Sequence, residues 1–457
     1  MSHSAYRSRG LVRRLVVGAV IAAVGAGVLS GCVGSSPSAS PTDGDGVGQY
    51  VLTPDTVPHD ASATITVWVD EARAQGFKDF AAAHPEYKFD IQTISGSDFL
   101  TKIQLANRAG SGWPDIVFPN KYLANLSTKQ YDYFTQPLNG IIPKKVLDDF
   151  GTSNDAYKTS DGYLLGLRND VAPSVFYYNT EEFTQFGYQV PKTMDDLVAL
   201  AEDVKANHPG YILQFNGNGW MTDLQYLQSS GCPYQQLTDN GDLRIALSDS
   251  KCTRAVDVLD KLLATGVVQI KDLTDAQSQT LAGDGKLLAT INAVWRADYT
   301  FPGMGWKDGT LGVAPMPTWG DAEGDNSVGY EGGGFFALSR HAKNMKGALE
   351  ALTYVATSDD VQLAAPTMPA YGPAQAKWLS QKVPQNKLYA DATATEKVYA
   401  DAAAHMDTVN ALTEVDVTGT FPIEQVQQGS TFADVMDNWA SKMTEQARAA
   451  GLTVVTK

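Results

Sequence analysis

The chain has 457 residues, 43% of them hydrophobic and 19% charged, so it can bury a large core and is neither fibrous nor broadly disordered. Its formal net charge is −16, an acidity that argues against nucleic acids and anionic substrates and fits a neutral ligand.

The first element is a leader. Arg7, Arg9, Arg13 and Arg14 precede an uncharged apolar run over residues 15–29, as in a secretory signal, and the run is too short to span a bilayer comfortably. It ends in Leu29-Ser30-Gly31-Cys32, which resembles the lipobox of bacterial lipoproteins, where cleavage precedes a cysteine that takes lipid on its thiol. The expectation is a signal peptide over 1–31 and lipidation of Cys32, which would hold the protein at the outer face of the cytoplasmic membrane. An ordinary cleaved signal and a membrane stem are the alternatives. Removing residues 1–31 takes four arginines and no acid from the total of −16, leaving −20. Residues 32–61 combine the lipid-bearing cysteine with a stretch of Gly, Ser, Pro, Thr and Asp that has no apolar periodicity, the composition of a flexible tether. The remaining cysteines, Cys232 and Cys252, can pair in an oxidising exterior or persist as buried thiols. Pairing is expected, and closing that loop would stabilise the fold by about 3 kcal/mol.

Beyond the tether the chain alternates between strand and helix patterns. Residues 64–69 place Ile65, Val67 and Val69 opposite Thr64, Thr66 and Trp68, a strand. A helix over about 70–83 buries Phe77 and Phe80 and stops at His84-Pro85. Residues 88–93 read as a strand, 98–109 as a helix with Phe99, Ile103 and Ala106 on one face, and 115–118 as a short strand. The rhythm returns with a strand at 175–178 and a helix that Thr193 caps with Asp196 at its third position, followed by Leu197, Leu200, Ala201 and Val204. Val256, Leu259 and Leu263 mark a helix closed by Gly266; 287–291 and 335–338 read as strands, 343–357 as a helix, and 374–450 as mostly helical. Such alternation predicts an α/β fold with a mainly parallel sheet covered on both sides.

No catalytic or metal motif stands out. The six histidines have no pair at metal-ligand spacing, there is no G-x-S-x-G elbow, and Gly283-Asp284-Gly285-Lys286 lacks the upstream glycine and the following Ser/Thr of a phosphate loop. No cofactor or metal is expected. Aromatic residues placed where strands give way to loops are more informative, because the C–H face of a sugar ring stacks on them while its hydroxyls need polar partners. Trp68 with Asp70, Phe118 with Asn120 and Tyr122, Trp220 with Asn218 and Asp223, Trp295 with Arg296, and Tyr330 with Glu331 form this set. A packed core aromatic or a solvated charge is the competing reading for each.

Several segments stand in a recognisable order. They are Ile65-Thr66-Val67-Trp68; Ser111-Gly112-Trp113-Pro114-Asp115-Ile116-Val117-Phe118; Tyr178-Asn179; Pro191-Lys192-Thr193-Met194-Asp195-Asp196-Leu197; Gly283-Asp284-Gly285-Lys286-Leu287-Leu288-Ala289; and the glycine-rich Gly332-Gly333-Gly334-Phe335-Phe336-Ala337-Leu338-Ser339. In order and spacing the chain resembles the extracellular solute-binding proteins of carbohydrate ABC importers, the group that includes maltose-binding protein. Met194 replaces the usual tryptophan and Asp196 the usual Glu, and the GKAAM-like segment is looser. The resemblance implies an α/β, two-lobed periplasmic-binding-protein type II-like fold with a hinge and an interlobe ligand cleft. Lobe 1 would comprise 62–168 plus 302–357 and lobe 2 169–301 plus 358–457, joined near 167–173, 300–310 and 357–366. It implies that Trp220 and Trp295 line the cleft, that Arg168, Asp170 and Glu331 meet sugar hydroxyls, and that Gly332 and Gly333 let backbone approach the ligand. It further implies a monomer without enzymatic activity that captures a carbohydrate, an oligosaccharide given the several tryptophans, and delivers it to the importer's membrane subunits. A lipid-anchored glycoside hydrolase using Asp170 and Glu331, and a binder of peptide or polyamine, are the rival readings.

Overall fold

The computed structural model describes residues 46–455 apart from 95–97, 120–125, 128, 160, 218–220, 239–241, 321–326, 407–416, 418 and 450–451. The expected signal peptide, Cys32 and the first part of the expected tether lie outside them. From residue 46 onward the expected tether is docked rather than free. Val47 is buried, the Gln136 side chain donates to the Tyr50 carbonyl at 2.7 Å, and the Arg340 guanidinium sits 4.5 Å from the Tyr50 ring centroid. Backbone bonds join Asp60 N–H to Lys343 O (3.0 Å) and Lys346 N–H to Pro58 O (3.1 Å). The few apolar residues scattered in a polar stretch anchor this strap, which a composition average conceals.

Strand β1 (Thr64–Val69) buries Ile65, Val67 and Val69 as its alternation predicts, and leads into α1 (Glu71–Ala83). Asp70 caps α1 by accepting from Arg73 N–H, satisfying a donor that the first turn would otherwise leave open. Then come β2 (Lys88–Thr93), α2 (Phe99–Ala109) with Phe99, Ile103 and Ala106 buried, and β3 (Ile116–Val117). The chain leaves this region through β4 (Leu167–Arg168), β5 (Asp170–Val171) and β6 (Ser174–Asn179). Next is α3 (Met194–Asn207), which carries the capping box of Thr193 and Asp196. It precedes β7 (Gln214–Phe215), α4 (Met221–Ser229), α5 (Ser250–Thr265, ended by a left-handed Gly266), β8 (Val268–Gln269), β9 (Ala289–Ala293) and the short α6 (Arg296–Tyr299). Finally β10 (Leu311–Pro315), β11 (Phe335–Leu338), α7 (Met345–Thr357) and β12 (Met368–Pro369) precede α8 (Gly372–Gln381), α9 (Ala392–Ala404) and α10 (Phe432–Ala449). Cys232 and Cys252 form a disulfide that ties the turn after α4 to the first turn of α5.

Two sheets organise these elements. The first runs β2-β1-β3-β11-β4; β1 is parallel to β2 and β3, whereas β11 is antiparallel to β3 and β4. The second places β6 between β9 and β10, both antiparallel to it, with the parallel pair β7-β8 forming a separate ladder. The expectation of a mainly parallel arrangement therefore holds for β2-β1-β3, for β7-β8 and for the short pairing of Val454–Val455 with Leu243–Arg244, and fails for β11, β4 and the sheet around β6. Strand β11 enters the first sheet from the second, and β4 leaves it, so both pair with opposite polarity to what a helix crossover produces.

The expected partition is also altered. Residues 311–315, assigned above to lobe 1, pair along β6, and Tyr330 forms a bridge with Pro173. The expected joining strand near 300–310 is instead helix and turn, and 357–366 contains the end of α7 and a short helix at Asp359–Gln362. The three connections that meet side by side are β5, residues 330–334 and β12. Pro369 pairs with Asp170, Asn169 N–H donates to Gly334 O at 2.8 Å, and Ala370 N–H donates to Asn169 O at 3.1 Å.

Candidate ligand cleft

The crossing is built on two side chains expected to face the ligand. Arg168 is 2% exposed; its Nε donates to Asp170 O at 3.0 Å and its Nη1 to Ser153 O at 3.2 Å. Asp170 is 3% exposed, and its Oδ1 accepts from the Asn169 side chain (2.8 Å), Gly334 N–H (3.3 Å) and Arg73 Nη2 (3.3 Å). A buried guanidinium and carboxylate are tolerated only when so satisfied. Both residues therefore hold the crossing together rather than reaching into the cleft. The glycines serve the same packing. Gly333 has φ +91, and a β-carbon there would run into the Arg168 guanidinium; one on Gly334 would enter the Phe118 ring. Gly332, at φ +97, is the one that borders Trp295, with 3.7 Å between a β-carbon position and the indole nitrogen.

On the first-sheet side, Trp68 ends β1, Asp70 caps α1 and Phe118 follows β3. Arg73 joins them: Nη1 is 3.0 Å from Asp70 Oδ2, Nη2 reaches Asp170, and the guanidinium carbon lies 4.4 Å from the Phe118 ring centroid. Trp68 is buried edge-on to Phe99, their centroids 6.1 Å apart. Trp68, Asp70, Ile94, Phe99, Phe118 and Pro119 enclose a small niche of about 80 Å³.

On the second-sheet side, Trp295 precedes α6 and is half-buried. Its Nε1 donates to Glu331 O at 2.8 Å, the Arg296 guanidinium carbon lies 4.3 Å from its ring centroid, and Arg296 Nη2 pairs with Glu331 Oε1 at 2.5 Å. Glu331 Oε2 accepts from Gln225 at 3.4 Å, and Gln225 in turn accepts from Ser174 Oγ at 2.6 Å. The indole is thus fixed at one edge and covered by a cation, leaving a stiff aromatic platform. Tyr299, one turn further along α6, is 74% exposed and stands edge-on to Trp295 at 5.9 Å between centroids. Arg73, Gln225 and Tyr299 escaped sequence reasoning. Their spacing was the available signal, since Arg73 lies three residues after Asp70 and Tyr299 four after Trp295 on helices.

Asp223, grouped above with Trp220, belongs to the core. It is fully buried, accepts from Asn216 Nδ2 at 2.5 Å, and burial pushes its carboxyl well above the ordinary range. Asn120, Tyr122, Asn218 and Trp220 lie outside the described residues. The structure thus brings Trp295, Arg296, Glu331 and Gly332 together on one side and Trp68, Asp70 and Phe118 on the other, with Arg168, Asp170 and Gly333 forming the joint between them. Among the described residues, no cluster of three His, Cys, Asp or Glu side chains could hold a metal ion, and no helix is long and apolar enough to cross a membrane.

Two sheets joined by three adjacent connections, with aromatic groups on either side, define the architecture of two-lobed binding proteins. The galacto-N-biose/lacto-N-biose I-binding protein of the ABC transporter from Bifidobacterium longum has this fold. It aligns with a TM-score of 0.69 at 18% identity, over 87% of this chain and 100% of that one. The ABC transporter associated binding protein from B. animalis subsp. lactis Bl-04, in complex with β-1,6-galactobiose, aligns at 0.66 and 20% identity over 86% and 99%. Residues 63–362 match the model of the bacterial extracellular solute-binding protein family, and the chain belongs to that family. An arabinooligosaccharide-binding protein from Halalkalibacterium halodurans is 23% identical over 261 residues, 54% of this chain and 55% of that protein. The multiple sugar-binding protein of Streptococcus mutans is 21% identical over 302 residues, 62% and 68% of the two chains. The chain thus spans about half the length of the first of these relatives and two thirds of the second.

Proposed function

We propose that this protein captures a carbohydrate, an oligosaccharide of at least two rings, between its lobes outside the membrane and delivers it to an ABC-type importer without altering it covalently. The observation that carries this reading is the Trp295 platform, locked through Glu331 and Arg296 beside the crossing, with the exposed Tyr299 extending the aromatic surface. An indole held in this way offers a flat apolar face to pyranose C–H groups at little entropic cost. Family membership and the sugar-binding relatives support the same cargo.

In this proposal the lobes comprise 46–168 with 335–366, and 174–329 with 370–455, and the intervening connections flex. Ligand contact with both faces stabilises a closed form that the importer's membrane subunits recognise. Lipid on Cys32 would keep the monomer at the outer membrane surface. Of the carboxyl pair that hydrolysis would require, Asp170 is already committed to the crossing, which disfavours catalysis there.

The test is thermal unfolding of the secreted chain carrying Cys32→Ser against oligosaccharides, monosaccharides, peptides and polyamines. A ligand at a hundred times its dissociation constant stabilises the native state by about 2.7 kcal/mol. One linkage class should raise the midpoint, Trp295→Ala should abolish the rise, and no reducing sugar should be released. Silence from every sugar combined with a response to peptides or polyamines would overturn the cargo.

A further inference from the structure

Helix α4 is buried along its whole length after Met221, yet it carries Gln225 and Gln228 three residues apart on one face. Both address the same stretch of chain. Gln228 Oε1 accepts from Tyr330 N–H at 2.8 Å. Gln225 uses its amide in full: Oε1 accepts from Ser174 Oγ at 2.6 Å, and Nε2 donates to Glu331 Oε2 and to Met221 O, each at 3.4 Å. Gly329 makes this approach possible, since a β-carbon there would run into the Gln225 backbone. Residues 329–331 therefore lie directly on α4. Glu331 ends the stretch, its carbonyl holding the Trp295 indole and its carboxylate holding Arg296 over that ring. A buried carboxylate with one oxygen on Arg296 needs a donor for the other, and Gln225 supplies it from a helix packed on every side.

We propose that Gln225 is a positioning residue for ligand capture: its neutral amide fixes the Glu331 carboxylate and, through it, the orientation of Arg296 and the Trp295 platform. The cleft of the carbohydrate reading above, on which this rests, then requires an uncharged donor at position 225. Of the groups packed against Gln225, Glu331 is charged and paired with Arg296, Ser174 and Met221 are neutral, and Asp223 on the same helix is turned to Asn216. An acid at position 225 would face Glu331, and two buried carboxyls this close share a proton. In that state a glutamic acid has the shape of glutamine and donates its O–H to Glu331. Gln225→Glu therefore reproduces the natural contact at low pH and replaces it with repulsion as the pH rises and the proton leaves.

The effect is visible without any sugar, in the indole N–H resonance of Trp295 in the Cys32→Ser chain carrying isotope-labelled tryptophan, the signal being identified by its loss in Trp295→Phe. In Gln225→Glu this resonance should coincide with that of the unmodified protein at about pH 5 and move away from it by about pH 8. In Gln225→Met, which keeps the length, removes the donor and serves if Gln225→Glu does not fold, it should be displaced at both. Calorimetric titration with maltotriose, cellotriose and gentiobiose reads the consequence for capture. For any of them that binds, Gln225→Glu should weaken binding about ten-fold at pH 8 relative to the unmodified protein and at most about two-fold at pH 5, and Gln225→Met about ten-fold at both. An indole signal that stays with that of the unmodified protein in both variants, or a deficit in Gln225→Glu that is equal at the two pH values, would overturn the positioning role and leave sugar capture standing. An indole signal that follows pH as expected, with no binding of these sugars or of those in the screen above, would uphold Gln225 and remove the cargo instead.

Discussion

A buried carboxyl and a half-buried imidazole in the first lobe set opposing pH dependences. Asp115 accepts from Thr66 N–H at 2.7 Å, yet burial pushes its carboxyl up to about 6. His341 lies flat on Trp113, 3.8 Å between centroids, and burial aided by the Arg340 charge lowers its imidazole to about 4. For Asp115 the folded state holds its proton more tightly than the unfolded chain, so stability falls as pH rises from about 4 to about 6. For His341 the unfolded chain takes up a proton first, so stability falls as pH drops from about 6.5 to about 4. Each contribution is about 3 kcal/mol at full extent, so over the shared interval they largely cancel. His341→Phe preserves the stacking and removes one of them. Calorimetric scans should show the melting temperature of that variant declining between pH 4 and 6 relative to that of the unmodified protein. Parallel profiles would contradict this assignment.

At the scale of elements, the strap over residues 46–60 adds stability that is separable from binding. Burial of Val47 and the Tyr50–Arg340 contact together contribute about 2 kcal/mol. A secreted chain that begins at residue 61 should melt a few degrees lower while keeping its response to ligand; an unchanged midpoint would mean that the strap only rests on the surface. The strap also illustrates what a sequence conceals. Elements whose rules are local were legible: β1 and β2 span the expected residues, α2 buries the expected face, and Thr193 and Asp196 form the expected box. Strand β9 begins two residues later than read, because Leu287 is used first in a bridge to Ile212. Pairing partners were not legible. Nothing in Leu311–Pro315 announces that it will lie along β6, and nothing near Arg168 or Asp170 shows that their charges are consumed by carbonyls, an amide and Arg73 brought from elsewhere in the chain. The aromatic residues that flank the crossing, Trp68, Phe118 and Trp295, lie just where strands end, which a sequence marks. Whether a polar neighbour is available to a ligand depends on contacts distant in sequence.

The whole molecule turns on the crossing, where Gly334 is pressed against Phe118, Phe118 lies under Arg73, and Arg73 grips Asp170. Gly334→Ala must displace the Phe118 ring. It is expected to cost about 1–3 kcal/mol in denaturant unfolding and to weaken the compaction that the proposed closure would produce in small-angle scattering when ligand is added. A variant with normal stability and normal compaction would show that the ring yields freely and that the crossing is not stiffened through it.

The contacts that hold the strap at Tyr133, Gln136, Arg340, Lys343, Asn344 and Lys346 belong to the same lobe as β1 and β11. Force applied at residue 46 therefore enters that lobe alone. If lipid on Cys32 tethers the chain as proposed, one jaw would be moored and the other would swing: the proposed closure would move the Trp295 face toward a stationary Trp68 face, and drag on the leash would do no work against it.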